Sequence, residues 1–171
     1  MRALAGWVLT ALLVTGFVGV ASSQDEPQTR ASLVGLEGVR VYVEELKPEI
    51  EAEGLTSGSL EQDAKEELKA GGVPLLSEGI QGSGEPYLYV YLHVFRLPTQ
   101  TRRYLFYIRV ELNQQVALQR DPRILGPAVT WSDGGVGLDF SLENIRGIVR
   151  QQVRKFATAY SMANPKRSTS P

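Results

Sequence analysis

The chain contains no cysteine. That single absence excludes a disulfide framework, thiolate metal sites and lipid attachment through an N-terminal cysteine. Whatever fold forms must be held by its core alone. Histidine is nearly missing as well: His93 is the one copy in 171 residues. Multi-histidine zinc sites are thereby excluded, and a serine or threonine nucleophile would have one imidazole to draw on. Closely spaced glycines occur in "GIQGSGEP", but no Lys follows and no helix opens there, so phosphate cradling is not indicated. "GGVGLD", Gly134 to Asp139, matches one unit of a glycine- and aspartate-rich calcium repeat, yet such sites need stacked copies. It reads instead as a loop feeding the last helix, with Asp139 or Ser141 as the cap. Carboxylates are plentiful, but none forms a recognisable pair in an apolar setting, as acid–base work requires. These gaps leave a chain expected not to be an enzyme, with no cofactor and no metal.

What is present begins with an address. One basic residue, Arg2, precedes an apolar run from Leu4 to Val20, and Ala21-Ser22-Ser23 offers small residues before Gln24. This is the layout of a secretory signal peptide over residues 1–23, and it implies a periplasmic or secreted protein with no membrane span after cleavage. The rival reading is a retained anchor, because the run is close to the roughly 17-residue lower limit of a spanning helix. Removal leaves 148 residues, enough for one domain with a sizeable core. Residues 24–32 read as a flexible leader, 33–164 as a single α+β domain and 165–171 as a disordered tail.

Charge is unevenly spread. Residues 24–86 carry 14 acidic against 5 basic side chains, and residues 87–171 carry 5 against 12. Two halves of net −9 and +7 neutralise each other most simply within one fold; the sharper alternative is a basic face for an anionic partner.

The hydrophobic periodicity predicts β-α-β-β-β-β-α, with a four- or five-stranded, mainly antiparallel sheet and two main helices on one face. Val39, Val41 and Val43 alternate with Arg40, Tyr42 and Glu44 as a first strand, and "KPEIEAEG" gives a short turn or two of helix. Ser57 or Ser59 can cap a helix whose apolar face is Leu60, Ala64 and Leu68; Gly71-Gly72 ends it. Its charge run, Glu61 to Lys69, reads as a solvated surface. "VPLLSEG" is expected to be a short strand parallel to the first, joined by a right-handed crossover. "AVTWS" reads as a last strand after the turn-rich "RDPRILGP", broken by "DGGVG". A final helix from about Ser141 to Asn164 carries the stripe Leu142, Ile145, Val149, Val153, Phe156, Tyr160 and Ala163, with Arg146, Arg150 and Arg154 at four-residue spacing elsewhere on it.

Between these lies "PYLYVYLHVFRLP", Pro86 to Pro98, a strand with bulky side chains on both faces. A strand covered on one side should alternate apolar with polar. The next strand, Arg102 to about Leu118, is apolar at one parity only, through Tyr104, Phe106, Ile108, Val110 and Leu112. Cross-strand partners share a face, so Leu88, Val90, Leu92 and Val94 belong to the core with them. The other face then gathers Tyr87, Tyr89, Tyr91, His93 and Phe95 beside Arg103, Leu105, Tyr107, Arg109 and Glu111. Tyr87, Tyr89, Tyr91, His93, Tyr107 and Arg109 are the candidate partner-binding residues, because Tyr and Arg predominate at interface hot spots. The bland counterpart is an internal cross-strand ladder with cation–π pairs. Sheet aromatics can also stack on single-stranded bases, but a pI near 5.9 does not suit a nucleic-acid partner.

The first strand and helix ("GVRVYVEEL", "LEQDAKEELKAGGVPLL"), "YLYVYL", "QQVALQRD", the Thr130-Trp131 pair and "FATAYSMANPK" together resemble a group of small secreted bacterial proteins. In element order the chain is similar to small periplasmic sheet-and-helix modules of envelope assembly machinery. The resemblance implies compartment and fold, and assigns no chemistry to particular residues. The expectation is a non-enzymatic interaction or assembly module of the cell envelope with a protein partner. Its alternative is a carrier of a small apolar or lipid ligand held between sheet and helices.

Overall fold

A computed structural model describes residues 27–77, 84–98 and 103–165. The expected signal peptide, the start of the expected leader, most of "GIQGSGEP", residues 99–102 and all but the first residue of the expected C-terminal tail fall outside the described residues. The elements are α1 (Pro27–Ala31), β1 (Arg40–Val43), α2 (Pro48–Glu51), α3 (Ser57–Ala70), β2 (Tyr87–Arg96), β3 (Tyr104–Leu118), β4 (Asp121–Asp139) and α4 (Leu142–Ala163). The architecture is α+β, as the periodicity predicts. Part of the stretch read as a flexible leader is therefore helical, and Leu33 just beyond it is fully buried.

The four strands lie in the order β1-β2-β3-β4, with β1 parallel to β2 and the other two pairs antiparallel. The strand expected over "VPLL" is only one parallel bridge, Val39 to Leu75. Val39 donates to the Pro74 carbonyl and accepts from Leu76, but Pro74 has no N–H with which to continue a ladder. The parallel neighbour of β1 is instead β2, reached by way of α3.

Leu60, Ala64 and Leu68 of α3 and Ile145, Val149, Val153 and Phe156 of α4 form one core with the even-numbered side chains of β2 and β3, Val41 of β1 and Trp131 of β4. Trp131 meets Phe156 edge-on at 5.1 Å. The α3 cap is Thr56, slightly ahead of the expected serines; its hydroxyl accepts from the Ser59 N–H at 3.1 Å. Ser141 caps α4 by accepting from the N–H groups of Glu143 and Asn144.

The α3 charge run is not simply a solvated surface. Asp63 and Glu67 are buried, and they face the arginine row of α4. Arg146 grips Asp63 with two hydrogen bonds of 2.6 and 2.9 Å, and Glu67 accepts from both Arg150 and Arg154 at 2.9 Å. Two acidic side chains of the acidic half are thus paired with three arginines of the basic half along one helix pair.

The long β4 is the largest departure from the sequence expectation, since "RDPRILGP" and "DGGVG" read as turns. Two close approaches explain the second. A Cβ on Gly137 would lie 2.5 Å from the Phe106 ring, and one on Gly134 would lie 2.2 Å from the Ile108 carbonyl oxygen. Glycine lets β4 run beneath the Phe106 ring instead of ending there. One extra residue, Thr130, bulges between the Leu112–Trp131 and Asn113–Val129 pairs and returns Trp131 to the core.

Candidate functional site

The antiparallel β2–β3 register pairs Tyr87 with Asn113, Tyr89 with Glu111, Tyr91 with Arg109, His93 with Tyr107 and Phe95 with Leu105. All of these odd-numbered residues lie on the face opposite α3 and α4, while Leu88, Val90, Leu92 and Val94 are buried beneath the helices. The structure therefore brings the six candidate residues onto one face. It also extends that face. Parallel pairing of β1 adds Arg40 beside Tyr87 and Tyr42 beside Tyr89, and β4 adds Val136 beside Tyr107 and Leu138 beside Leu105. Sequence reasoning does not join these residues to the face. The alternation in "RVYVEE" carries a signal for Tyr42, but the β4 parity depends on the Thr130 bulge and has none.

The rings form a column along β2. Tyr91 and His93 stack with centroids 4.4 Å apart, His93 and Phe95 follow at 6.3 Å, and Tyr89 tilts against Tyr91 at 6.5 Å. Tyr107 meets Tyr91 edge-on from β3 at 5.8 Å, and Tyr42 meets Tyr87 in the same way from β1 at 5.4 Å. Successive side chains on one face of a strand are held at a spacing that lets large rings lean on one another. The column is closed at one end by Lys47, whose ammonium sits 4.2 Å from the Phe95 centroid. Such a cation–π contact contributes about 0.5–1 kcal/mol at an exposed site.

Charges on the face are largely matched within it. Arg109 pairs with Glu111 at 2.6 Å, and the Tyr89 hydroxyl donates to the Glu44 carboxylate. Arg103 leaves the strand register and lies over the Phe140 ring at 4.7 Å. The Tyr87, Tyr91 and Tyr107 hydroxyls have no hydrogen-bond partner among the described residues, and they are not among the buried orphaned atoms, so they reach water. His93 differs: its Nε2 is buried without a partner among the described residues. It is a packed member of the column, stacked between Tyr91 and Phe95.

This arrangement bears on what the face can bind. Stacking along the column turns ring faces toward one another, so a flat base or sugar finds ring edges rather than open platforms. What is presented outward is a row of phenol hydroxyls, one paired Arg109, and the exposed apolar side chains Phe95, Val136 and Leu138. Fixed aromatic groups with polar tips beside small apolar side chains suit a protein surface.

No family model matches the chain, and no curated protein matches it. Among solved structures it is similar to the PelC dodecamer from Paraburkholderia phytofirmans, at 18% identity and a TM-score of 0.49, over 85% of this chain and 97% of that one. A point-substituted form of the same dodecamer is similar at 19% identity and a TM-score of 0.43, over 72% and 86%. A minor lipoprotein from Acinetobacter baumannii is similar at 15% identity and a TM-score of 0.32, over 76% and 92%. Likeness this low assigns no residue of the Tyr/Arg face a role.

Proposed function

We propose that this protein is a non-enzymatic interaction module of the bacterial cell envelope and that it holds a protein partner on the Tyr/Arg face. One observation carries the reading: a preordered aromatic column with solvent-reaching hydroxyls lies on the sheet face opposite the helices. A rigid aromatic surface loses little conformational entropy on binding, because its side chains are already held. Tyr91 and Arg109 are cross-strand partners near the centre of the face, and Tyr89 and Tyr107 flank them. The envelope address rests on the layout of residues 1–23.

A photo-activated cross-linking residue at position 107, introduced in the native host, tests this directly. The expected result is a discrete protein adduct that disappears when Tyr91→Ala and Arg109→Ala are combined. The same residue at Gln151, exposed on α4, should give no such adduct. No adduct at 107, or the same adduct from both positions, would overturn the proposal. Lipid in place of protein in the adduct would favour the carrier alternative.

A further inference from the structure

The Tyr/Arg face is not uniform along its length. Where β2 ends and β3 begins, cross-strand pairing sets Phe95, Leu105 and Leu138 in one row, and Val136 stands beside Tyr107 in the row before it. Leu138 is 61% exposed, and Phe140, just past β4, is 59% exposed. A contiguous apolar patch with a charged rim marks an interaction site rather than inert surface. Two cations form that rim. Lys47 lies over the Phe95 ring at the β2 side, and Arg103 lies over the Phe140 ring at the β4 side. Elsewhere on the face Arg40 is paired with Glu85 and Arg109 with Glu111. Lys47 and Arg103 have no carboxylate partner among the described residues. A ring steadies such a side chain by about 0.5–1 kcal/mol and leaves its N–H donors free.

On the reading that the Tyr/Arg face holds a protein partner, we infer that the partner meets this end of it with an acidic apolar segment. Its apolar side chains would sit on the Phe95, Leu105 and Leu138 row, with carboxylates on both sides reaching Lys47 and Arg103. The row crosses two gaps between strands, so those carboxylates stand roughly 10 Å apart. Carboxylates arriving there meet cations that are already positioned. They gain charge-assisted hydrogen bonds with less ordering of two long side chains than free cations would require. An anionic bilayer also offers hydrocarbon and negative charge. It fits less well, because the Glu44 and Glu111 carboxylates lie on the same face, and a uniformly anionic plane repels them where a protein surface can place donors.

A photo-activated cross-linking residue at position 138 in the native host, with mass spectrometry of the adduct, is the test. The expected product is a peptide of the same protein that position 107 captures, with Asp or Glu flanking the attachment point. Lys47→Glu and Arg103→Glu should each lower the yield, and together they should lower it about tenfold or more. Lys69→Glu makes the same charge change on the exposed surface of α3 and should leave the yield unchanged. Lys47→Met and Arg103→Met remove the charge but keep a side chain over each ring; they should also lower the yield, and they carry the test if circular dichroism shows that a reversal unfolds the chain. An adduct from 107 with none from 138 would overturn the proposal. So would an adduct from 138 that is indifferent to the Lys47 and Arg103 variants, or one that Lys69→Glu weakens equally. Lipid in place of peptide at 138 would overturn it in favour of a membrane surface. In each of these cases an adduct from 107 that needs Tyr91 and Arg109 leaves the docking reading standing, whereas no adduct from either position overturns both.

Discussion

Replacing Glu67 with Gln isolates the joint between the acidic and basic halves of the chain. The carboxylate is 8% exposed and accepts from Arg150 at 2.9 Å and from Arg154 at 2.9 and 3.1 Å. Gln keeps the shape but loses the charge, and it turns an amide N–H toward two guanidiniums. Breaking a fully buried ion pair costs about 3–5 kcal/mol. Here the arginine side chains are 44% and 61% exposed, so water takes over part of the lost bonding. A loss of about 1–2 kcal/mol at pH 7 is the expectation, which for a chain of this size lowers Tm by roughly 3–8 °C. The pH dependence gives the sharper check. Hydrogen bonding from Arg154, and then from Arg150, holds the Glu67 carboxyl below its usual 4.5 against the opposing effect of burial. A carboxylate with a depressed folded-state pKa contributes stability above its unfolded value, and that contribution is lost as pH falls through the folded value. The gap between the native chain and Glu67→Gln, followed by urea unfolding, should be constant near neutrality and should close as pH drops below 4.5. A gap that persists at low pH, or none at pH 7, would refute the argument.

Two further substitutions test the fold. Gly134→Ala would place a methyl 2.2 Å from the backbone oxygen of Ile108, which cannot move aside as a side chain would. A loss of about 1–3 kcal/mol in chemical denaturation is expected, with amide exchange rising first along the β3–β4 ladder. Ser141→Ala removes the hydroxyl that accepts from Glu143 and Asn144, and it should cost about 1 kcal/mol while leaving the Tyr/Arg face unchanged in cross-linking.

The readable parts of this chain are those where one face decides everything. Side chains alternate strictly along a strand, so the apolar parity of β3 is enough to assign the two bulky faces of β2 and to place Tyr87 through Phe95 opposite the core. The α4 stripe is equally plain, from Leu142 to Ala163. The lost parts depend on contacts distant in sequence. "DGGVGLD" has turn composition, and only the Phe106 ring above Gly137 and the backbone pressed against Gly134 make it a strand. Asp63 and Glu67 sit four apart at the margin of an apolar stripe, and Arg146, Arg150 and Arg154 repeat the same spacing on α4. Each row looks solvated until the two helices are packed together. Half of the candidate face is legible for the same reason. Tyr42 comes from a parallel neighbour, and Val136 and Leu138 from beyond a bulge that no local pattern marks.

The Tyr/Arg face is either a docking surface or a ladder that serves only the sheet, and one comparison separates the two. Tyr91→Ala combined with Arg109→Ala should abolish the protein adduct from position 107 and lower Tm by only a few degrees, because both side chains lie outside the core. A large loss of thermal stability with the adduct unchanged would contradict the account.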